Sequence, residues 1–205
     1  MRLDVVDHGH DLPGRCTLRA MRVFGRTEVP DVIKVLFYRH RYFSTPFSDL
    51  LQDLMRGPSA WSIGERELFA TYTSARNQCD FCRTCHQTVA ESYQTPELVI
   101  RALERPADSG QRIEVVVVLD FLAKLADAPD DVKPADVERV RTAGVTDAAL
   151  EEAVRISVAF HTINRIMDTM GGVPPEGRGL TLTRWFLRRM GYATPPTVKF
   201  LSSAG

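Results

Sequence analysis

From Pro30 onward the chain is punctuated as a succession of capped helices, and this punctuation constrains the fold more than any other feature. Thr45-Pro46 reads as an N-cap with a first-turn proline opening PFSDLLQDLMR, which Gly57-Pro58 ends. Ser62, followed three residues on by Glu65, spells a capping box at the start of IGERELFATYTSARN. A break near Asn77 precedes a helix expected from Asp80 to about Tyr93, and Thr95-Pro96 repeats the cap signal before PELVIRALE. PADVERVRTAG reads as an amphipathic helix closed by Gly144. Thr146 caps the long DAALEEAVRISVAFHTINRIMDTM, which Gly171-Gly172 close. VPDVIKVLFYRHRYF has apolar residues at helical spacing, and TRWFLRRM reads as a short helix. The valine run in RIEVVVVLDFLAKLAD suits a strand, but the length of the stretch and its ending favour a buried helix. The sum is an all-α domain of about eight helices. Residues 1–28 lack this punctuation and read as an irregular segment, strand-like around Cys16 to Phe24. The expected organisation is an N-terminal segment 1–28, a helical domain 29–191 and a tail 192–205.

Charge narrows the function classes. Lys+Arg and Asp+Glu both number 26, so there is no basic surplus to recruit nucleic acid. Neutrality also removes bulk repulsion between copies. No apolar run approaches the roughly 20 residues that span a bilayer, and MRLDVVDHGHDLPGR has no apolar export core. The expectation is a cytoplasmic protein without membrane or nucleic-acid partners. In a reducing compartment, clustered cysteines point to catalysis or metal binding rather than to a disulfide scaffold.

The cluster is NQCDFCRTCHQ, residues 77–87, which holds three of the four cysteines. With about 100° per residue and Cys79 taken as zero, Cys82 falls at about −60°, His86 at about −20° and Cys85 at about −120°. Cys79, Cys82 and His86 share a face if the helix reaches its first cysteine; Cys85 lies on the flank. A working cysteine needs a lowered pKa, and a helix N-terminus favours the thiolate. His86, one turn below Cys82, is placed to accept or return a proton, and a thiol at C-x-x-C spacing is placed to resolve a sulfenic acid. Glu65 and Glu67 are the carboxylates available to orient the histidine; the capping box engages Glu65, which leaves Glu67. Two other readings use the same letters. C-x-x-C near a histidine is half a zinc site, but zinc takes four ligands and the remaining cysteine, Cys16, is far away in sequence. CRTCH fits haem c attachment, a chemistry of oxidising compartments that does not suit a chain read as cytoplasmic.

The arrangement Glu67-x11-Cys79-x2-Cys82-x3-His86, within GERELFATYTSARNQCDFC, resembles the AhpD-like alkylhydroperoxidase group of the carboxymuconolactone decarboxylase superfamily. AVRISVAFHTINRIMDTMGGVPP and LDFLAKLADAPDDVKPADVERVRTAGVTDAALEEAV are similar to its peroxidase-related members, so the likeness covers roughly residues 30–190. The resemblance implies an all-α, AhpD-like fold that assembles as dimers, trimers or hexamers. It also implies roles: Cys82 as peroxidatic cysteine, Cys79 as resolving cysteine, His86 and Glu67 as proton relay. The implied activity is thiol-dependent reduction of a hydroperoxide, with an unidentified dithiol reductant as second partner and no cofactor or metal. The best-known members carry a histidine before the peroxidatic cysteine where this chain has Phe81, and Cys85 is extra. The alternatives are a redox-sensing or zinc-binding helical module without turnover, and a decarboxylase or isomerase on the same fold.

Other residues are read structurally. His161 is expected as a core histidine. Asn164 and Arg165 are expected to tie helices, with Arg165 paired to Asp168 on the surface. His8 and His10 are expected to be solvated, Trp61 and Trp185 to be packing anchors, and Cys16 and Cys85 to be small buried hydrophobes. The arginines of RWFLRRM are expected on a solvated or subunit-facing helix face.

Overall fold

The structure is a computed structural model that describes residues 1–38 and 45–193. Among the described residues it is helical without a strand: α1 (Asp4–His8), α2 (Leu12–Gly25), α3 (Asp31–Tyr38), α4 (Thr45–Arg56), α5 (Ile63–Arg76), α6 (Asp80–Ala90), α7 (Pro96–Glu104), α8 (Ile113–Asp127), α9 (Pro134–Thr142), α10 (Asp147–Met170) and α11 (Gly177–Arg189). Short 3-10 turns at Pro106–Asp108 and Pro129–Asp131 join α7 to α8 and α8 to α9. No described helix is long and apolar enough to cross a membrane.

The local signals act as expected from α4 to α10. The Ser62 hydroxyl accepts from the Glu65 amide at 3.3 Å, and the Glu65 carboxylate accepts from the Ser62 amide at 2.7 Å, closing the capping box. Thr146 accepts from the Ala149 amide at 3.2 Å, and Gly171 ends α10 in the left-handed region at φ 69°. The valine run is helical: Val115, Val118, Leu119 and Leu122 are buried in α8. Thr95 holds the N-cap position of α7 without a side-chain cap bond. The continuation of the α3 reading across 39–43 lies outside the described residues.

The N-terminal reading is corrected. Residues 1–28 are not irregular or strand-like but carry α1 and α2. Asp11 caps α2 by accepting from the Gly14 amide at 2.8 Å, and a proline sits in the first turn. The inward stripe of α2 runs through Gly14, Thr17, Leu18, Met21 and Gly25 at helical spacing. Three of these five are glycine or threonine, so hydrophobic patterning does not register the stripe. The segment is joined to the rest of the fold: the Arg2 amide donates to the Met170 carbonyl at 2.7 Å, and Lys34 Nζ donates to the Asp7 carboxylate at 3.2 Å. At the other end α11 starts at Gly177, earlier than the expected short helix.

The central element is α5. It packs against α6, α10 and α8, with α4 and α7 at its ends. It is buried from Arg66 to Ser74 nearly all round, as its neighbours require. Trp61 anchors its entry: the indole Nε1–H donates to the Ala149 carbonyl at 2.8 Å and the ring meets Phe69 edge-on at 5.1 Å. Trp185 departs from the anchor reading, being 56% exposed on α11. His10 is buried against the Lys34 carbonyl at 3.0 Å, whereas His8 is exposed as expected.

Candidate active site

The site begins in the turn between α5 and α6. The Cys79 amide donates to the Ser74 carbonyl and the Gln78 amide to the Ala75 carbonyl, both at 3.0 Å. This is a Schellman ending for α5, with Gln78 in the left-handed region at φ 58°. A glutamine there costs about 1 kcal/mol relative to glycine. Cys79, next in the chain, is the N-cap of α6 in an extended conformation, φ −91° and ψ 92°. An N-cap side chain leans over the third helical residue, and here that residue is Cys82. Cys79 and Cys82 thus stand at the start of α6, and both thiols are buried. All three cluster cysteines are reduced.

Cys79 therefore lies outside the helix proper, and the reckoning that put it on one face with His86 is corrected. Cys82, Cys85 and His86 occupy α6 at spacings of three and four residues, and all three line one cavity of about 370 Å³. Cys85, expected on the flank, faces that space, while Cys79 is buried at the N-cap and is not among the lining residues. Cys85 is buried, as a small hydrophobe would be, but Cys16 is exposed on α2, contrary to expectation. The cavity is almost wholly apolar. Met21 and Phe24 of α2, Ile33 of α3 and Phe186 of α11 supply much of its wall.

Glu67 and His86 meet across the α5–α6 pair. Glu67 is fully buried on α5, and its Oε2 lies 2.8 Å from His86 Nδ1. Two further donors hold the other oxygen: Arg56 Nη2 and the Tyr192 hydroxyl, each 2.7 Å from Oε1. Burial alone would raise the Glu67 carboxyl. The hydrogen bond from His86 and the charge of Arg56 outweigh it and hold the group below its ordinary value. With Nδ1 committed to the carboxylate, the imidazole carries its proton there. Nε2 makes no hydrogen bond among the described residues and is left as the basic nitrogen. Phe160 meets the ring edge-on at 4.5 Å, and Tyr192 lies parallel to it at 5.9 Å, so its orientation is fixed by packing as well.

Arg56 and Tyr192 were not singled out in the sequence. Tyr192 was assigned to the tail, a boundary the structure moves: Gln52 Oε1 accepts from the Tyr192 and Ala193 amides at 2.7 and 3.1 Å, fixing this segment to α4. Gly191 makes that approach possible, with φ 69° and space for a Cβ only 2.4 Å from the Gln52 oxygen. A glycine followed by a tyrosine just past a helix was the available signal; nothing local pointed to the arginine.

Cys82 and Cys85 are not standing thiolates. The hydrogen bond with Cys79, together with burial, pushes the Cys82 thiol well above its ordinary value, against the lowering expected from its place in the first turn of α6. Burial pushes Cys85 up to about 12. Among the described residues no group of three His, Cys, Asp or Glu side chains is arranged to hold a metal ion. His161 stays half-buried on α10 and outside the cavity lining, its imidazole pushed down by burial and by Arg165. Asn164 is buried and accepts from the Ser74 hydroxyl at 3.2 Å, tying α10 to α5, and Arg165 lies 3.9 Å from Asp168 on the surface.

A solved structure of an uncharacterized peroxidase-related protein from Silicibacter sp. TM1040 superposes with a TM-score of 0.73 at 23% identity, covering 87% of this chain and 93% of that one. A second, an alkylhydroperoxidase AhpD core described as an uncharacterized peroxidase-related protein from Ralstonia eutropha JMP134, gives 0.70 at 26%, covering 84% and 90%. The chain shares the AhpD-like fold of these structures. No family model matches the chain, and no curated protein does. The coverage of both AhpD-like structures exceeds what residues 30–190 alone supply, so part of this chain's N-terminal or C-terminal segment has a counterpart in them.

Proposed function

We propose that this AhpD-like chain is a thiol-dependent oxidoreductase that reduces a hydroperoxide. The reading is carried by one observation: a buried carboxylate–imidazole pair, Glu67–His86, stands one helical turn from a buried thiol, Cys82, whose helix has a second buried thiol, Cys79, at its N-cap.

Cys82 gives its proton to His86 Nε2, and the thiolate attacks the terminal oxygen of the peroxide. The O–O bond breaks, the alcohol leaves with the proton held by His86, and Cys82 becomes a sulfenic acid. The Cys79 sulfur then attacks the Cys82 sulfur. Hydroxide leaves as water with the Cys79 proton, and the 79–82 disulfide forms. An external dithiol restores both thiols by exchange. Because Cys82 is held as a thiol, the first step depends on a base, and Phe81 offers none. His86 is the residue placed to serve. The roles follow this order: Cys82 nucleophile, Cys79 resolving thiol, His86 acid–base, Glu67 its orienting carboxylate. The chain is read as a homo-oligomer, which light scattering of the purified protein tests.

The test of activity is consumption of an organic hydroperoxide with dithiothreitol as donor. Cys82→Ser is expected to remove at least 99% of the rate. A Cys82→Ser rate equal to that of the wild type rejects the peroxidase reading. If His86 variants lose activity on a carbonyl substrate while cysteine variants keep it, the decarboxylase or isomerase alternative replaces it.

A further inference from the structure

We propose that Arg56 and Tyr192 are positioning residues that keep the His86 imidazole neutral by satisfying Glu67 from its far side. The inference rests on the proton relay proposed above, but its readout does not require turnover.

The geometry divides the carboxylate in two. Oε2 faces His86 Nδ1 at 2.8 Å, whereas Oε1 takes Arg56 Nη2 and the Tyr192 hydroxyl at 2.7 Å each. A buried carboxylate without a counter-charge draws a proton onto a neighbouring imidazole, because an ion pair is the cheapest way to neutralise it. A doubly protonated His86 has no basic nitrogen left to accept the Cys82 proton. Arg56 supplies the counter-charge instead. It is itself fixed by the Met55 and Leu187 carbonyls at 2.8 and 2.9 Å, and its side chain is only 9% exposed. Its guanidinium also lies over the Tyr192 ring at 5.0 Å. Tyr192 contributes a neutral donor, and its hydroxyl stands 3.1 Å from Nδ1. Around His86 the ionisable groups are Glu67 on α5, Arg56 on α4, Tyr192 after α11, and Cys82 and Cys85 on its own helix, with Asp168 of α10 acting on Cys82. Arg56 is the permanent cation of this set. Three separate segments thus converge on one carboxylate.

The experiment is an NMR titration of the His86 imidazole in ring-labelled full-length protein, assigned with His86→Gln. Arg56→Met is expected to raise the midpoint of His86 protonation by about one pH unit, a tenfold gain in proton affinity. Arg56→Lys, which keeps the charge, is expected to restore most of the wild-type midpoint. Tyr192→Phe, which removes one neutral donor, is expected to raise it by a few tenths of a unit. An unmoved midpoint in a folded Arg56→Met overturns the proposal. If that variant does not fold, an unmoved midpoint in Tyr192→Phe overturns it. Equal peroxide rates for wild type and Cys82→Ser, with the midpoint shifts present, reject the peroxidase reading and leave the positioning role standing.

Discussion

Glu67→Gln tests the centre of the site most directly. The replacement keeps the shape of the side chain and removes one negative charge from a fully buried position. Three partners lose an ionic acceptor: Arg56 at 2.7 Å, Tyr192 at 2.7 Å and His86 at 2.8 Å. The amide has one oxygen for these donors, and its NH₂ faces at least one of them. Breaking a buried ion pair from one side costs about 3–5 kcal/mol, because the surviving charge is left without a partner. Arg56 keeps its two carbonyl contacts, so we take the lower end, about 3 kcal/mol. For a chain of this size that is a fall in Tm of roughly 6–12 °C. The pH dependence follows from the direction of the Glu67 shift. Its carboxyl is held below its ordinary 4.5 in the folded protein. The stability it contributes is therefore fully present above about pH 4.5 and is lost as pH falls through the lower folded value. Thermal and urea denaturation followed by circular dichroism, at pH 7 and in a series down to pH 3, should show a wide gap between the two proteins that closes on the acid side. A variant as stable as the wild type at pH 7, or a gap that widens with acid, refutes the claim that this carboxylate is ionised and paired.

Three further outcomes are expected. Alkylation with iodoacetamide at pH 8, mapped by mass spectrometry, should modify exposed Cys16 first and leave Cys85 almost untouched. With its thiol at about 12, Cys85 is thiolate in only roughly one molecule in ten thousand at that pH, and labelling of Cys85 as fast as Cys16 contradicts its burial. One equivalent of hydroperoxide should remove two hydrogens from the peptide that carries Cys79 and Cys82 and leave Cys85 free to react after denaturation; a mapped 82–85 bond removes the resolving role from Cys79. Gly191→Ala forces an L side chain to φ 69° against Gln52. It should destabilise the protein by about 1–2 kcal/mol and lower peroxide turnover by displacing Tyr192; full activity in this variant shows that the tyrosine's position is not needed.

What the sequence made legible follows the range of the forces involved. Caps and helix stops act over three or four residues, so Ser62 with Glu65, Thr146 with Ala149, and Gly171 could be read directly and stand where they were expected. The α8 valine run was settled by length, and burial on both sides of the helix explains why it shows no clear face. The first helices were missed because α2 turns glycines and a threonine inward. Within the site, Glu67 was reached by elimination because a local cap engages Glu65, and His86 by its place one helical turn below Cys82. Cys85 was misplaced by a single assumption, that Cys79 belongs to the helix; as an N-cap its side chain obeys cap geometry and not the helical period. Arg56 and Tyr192 reach Glu67 across 11 and 125 residues. No local rule covers such contacts, which depend on where α4 and the end of α11 come to rest.

The N-terminal helices change the chemistry asked of the cysteine. Met21 and Ile33 line the same cavity as Cys82, and an apolar wall keeps water from the sulfur. That exclusion contributes to the raised thiol, which works against nucleophilic attack at neutral pH. The same surroundings strengthen any hydrogen bond made inside them, including the one between Glu67 and His86. A solvated cysteine with a low pKa would react with whatever oxidant diffused past. A buried thiol beside a neutral, oriented imidazole ionises only when its proton has somewhere to go. On the proposed mechanism, selectivity comes from keeping the sulfur protonated and reactivity from keeping the base unprotonated. On that reading the two requirements fall to different residues: the cavity wall serves the first, Arg56 and Tyr192 the second. Trimming the wall by Met21→Ala should therefore speed alkylation of Cys82 by small water-soluble reagents while leaving the His86 midpoint unchanged. If both quantities move together, the wall and the counter-charge are not separate devices.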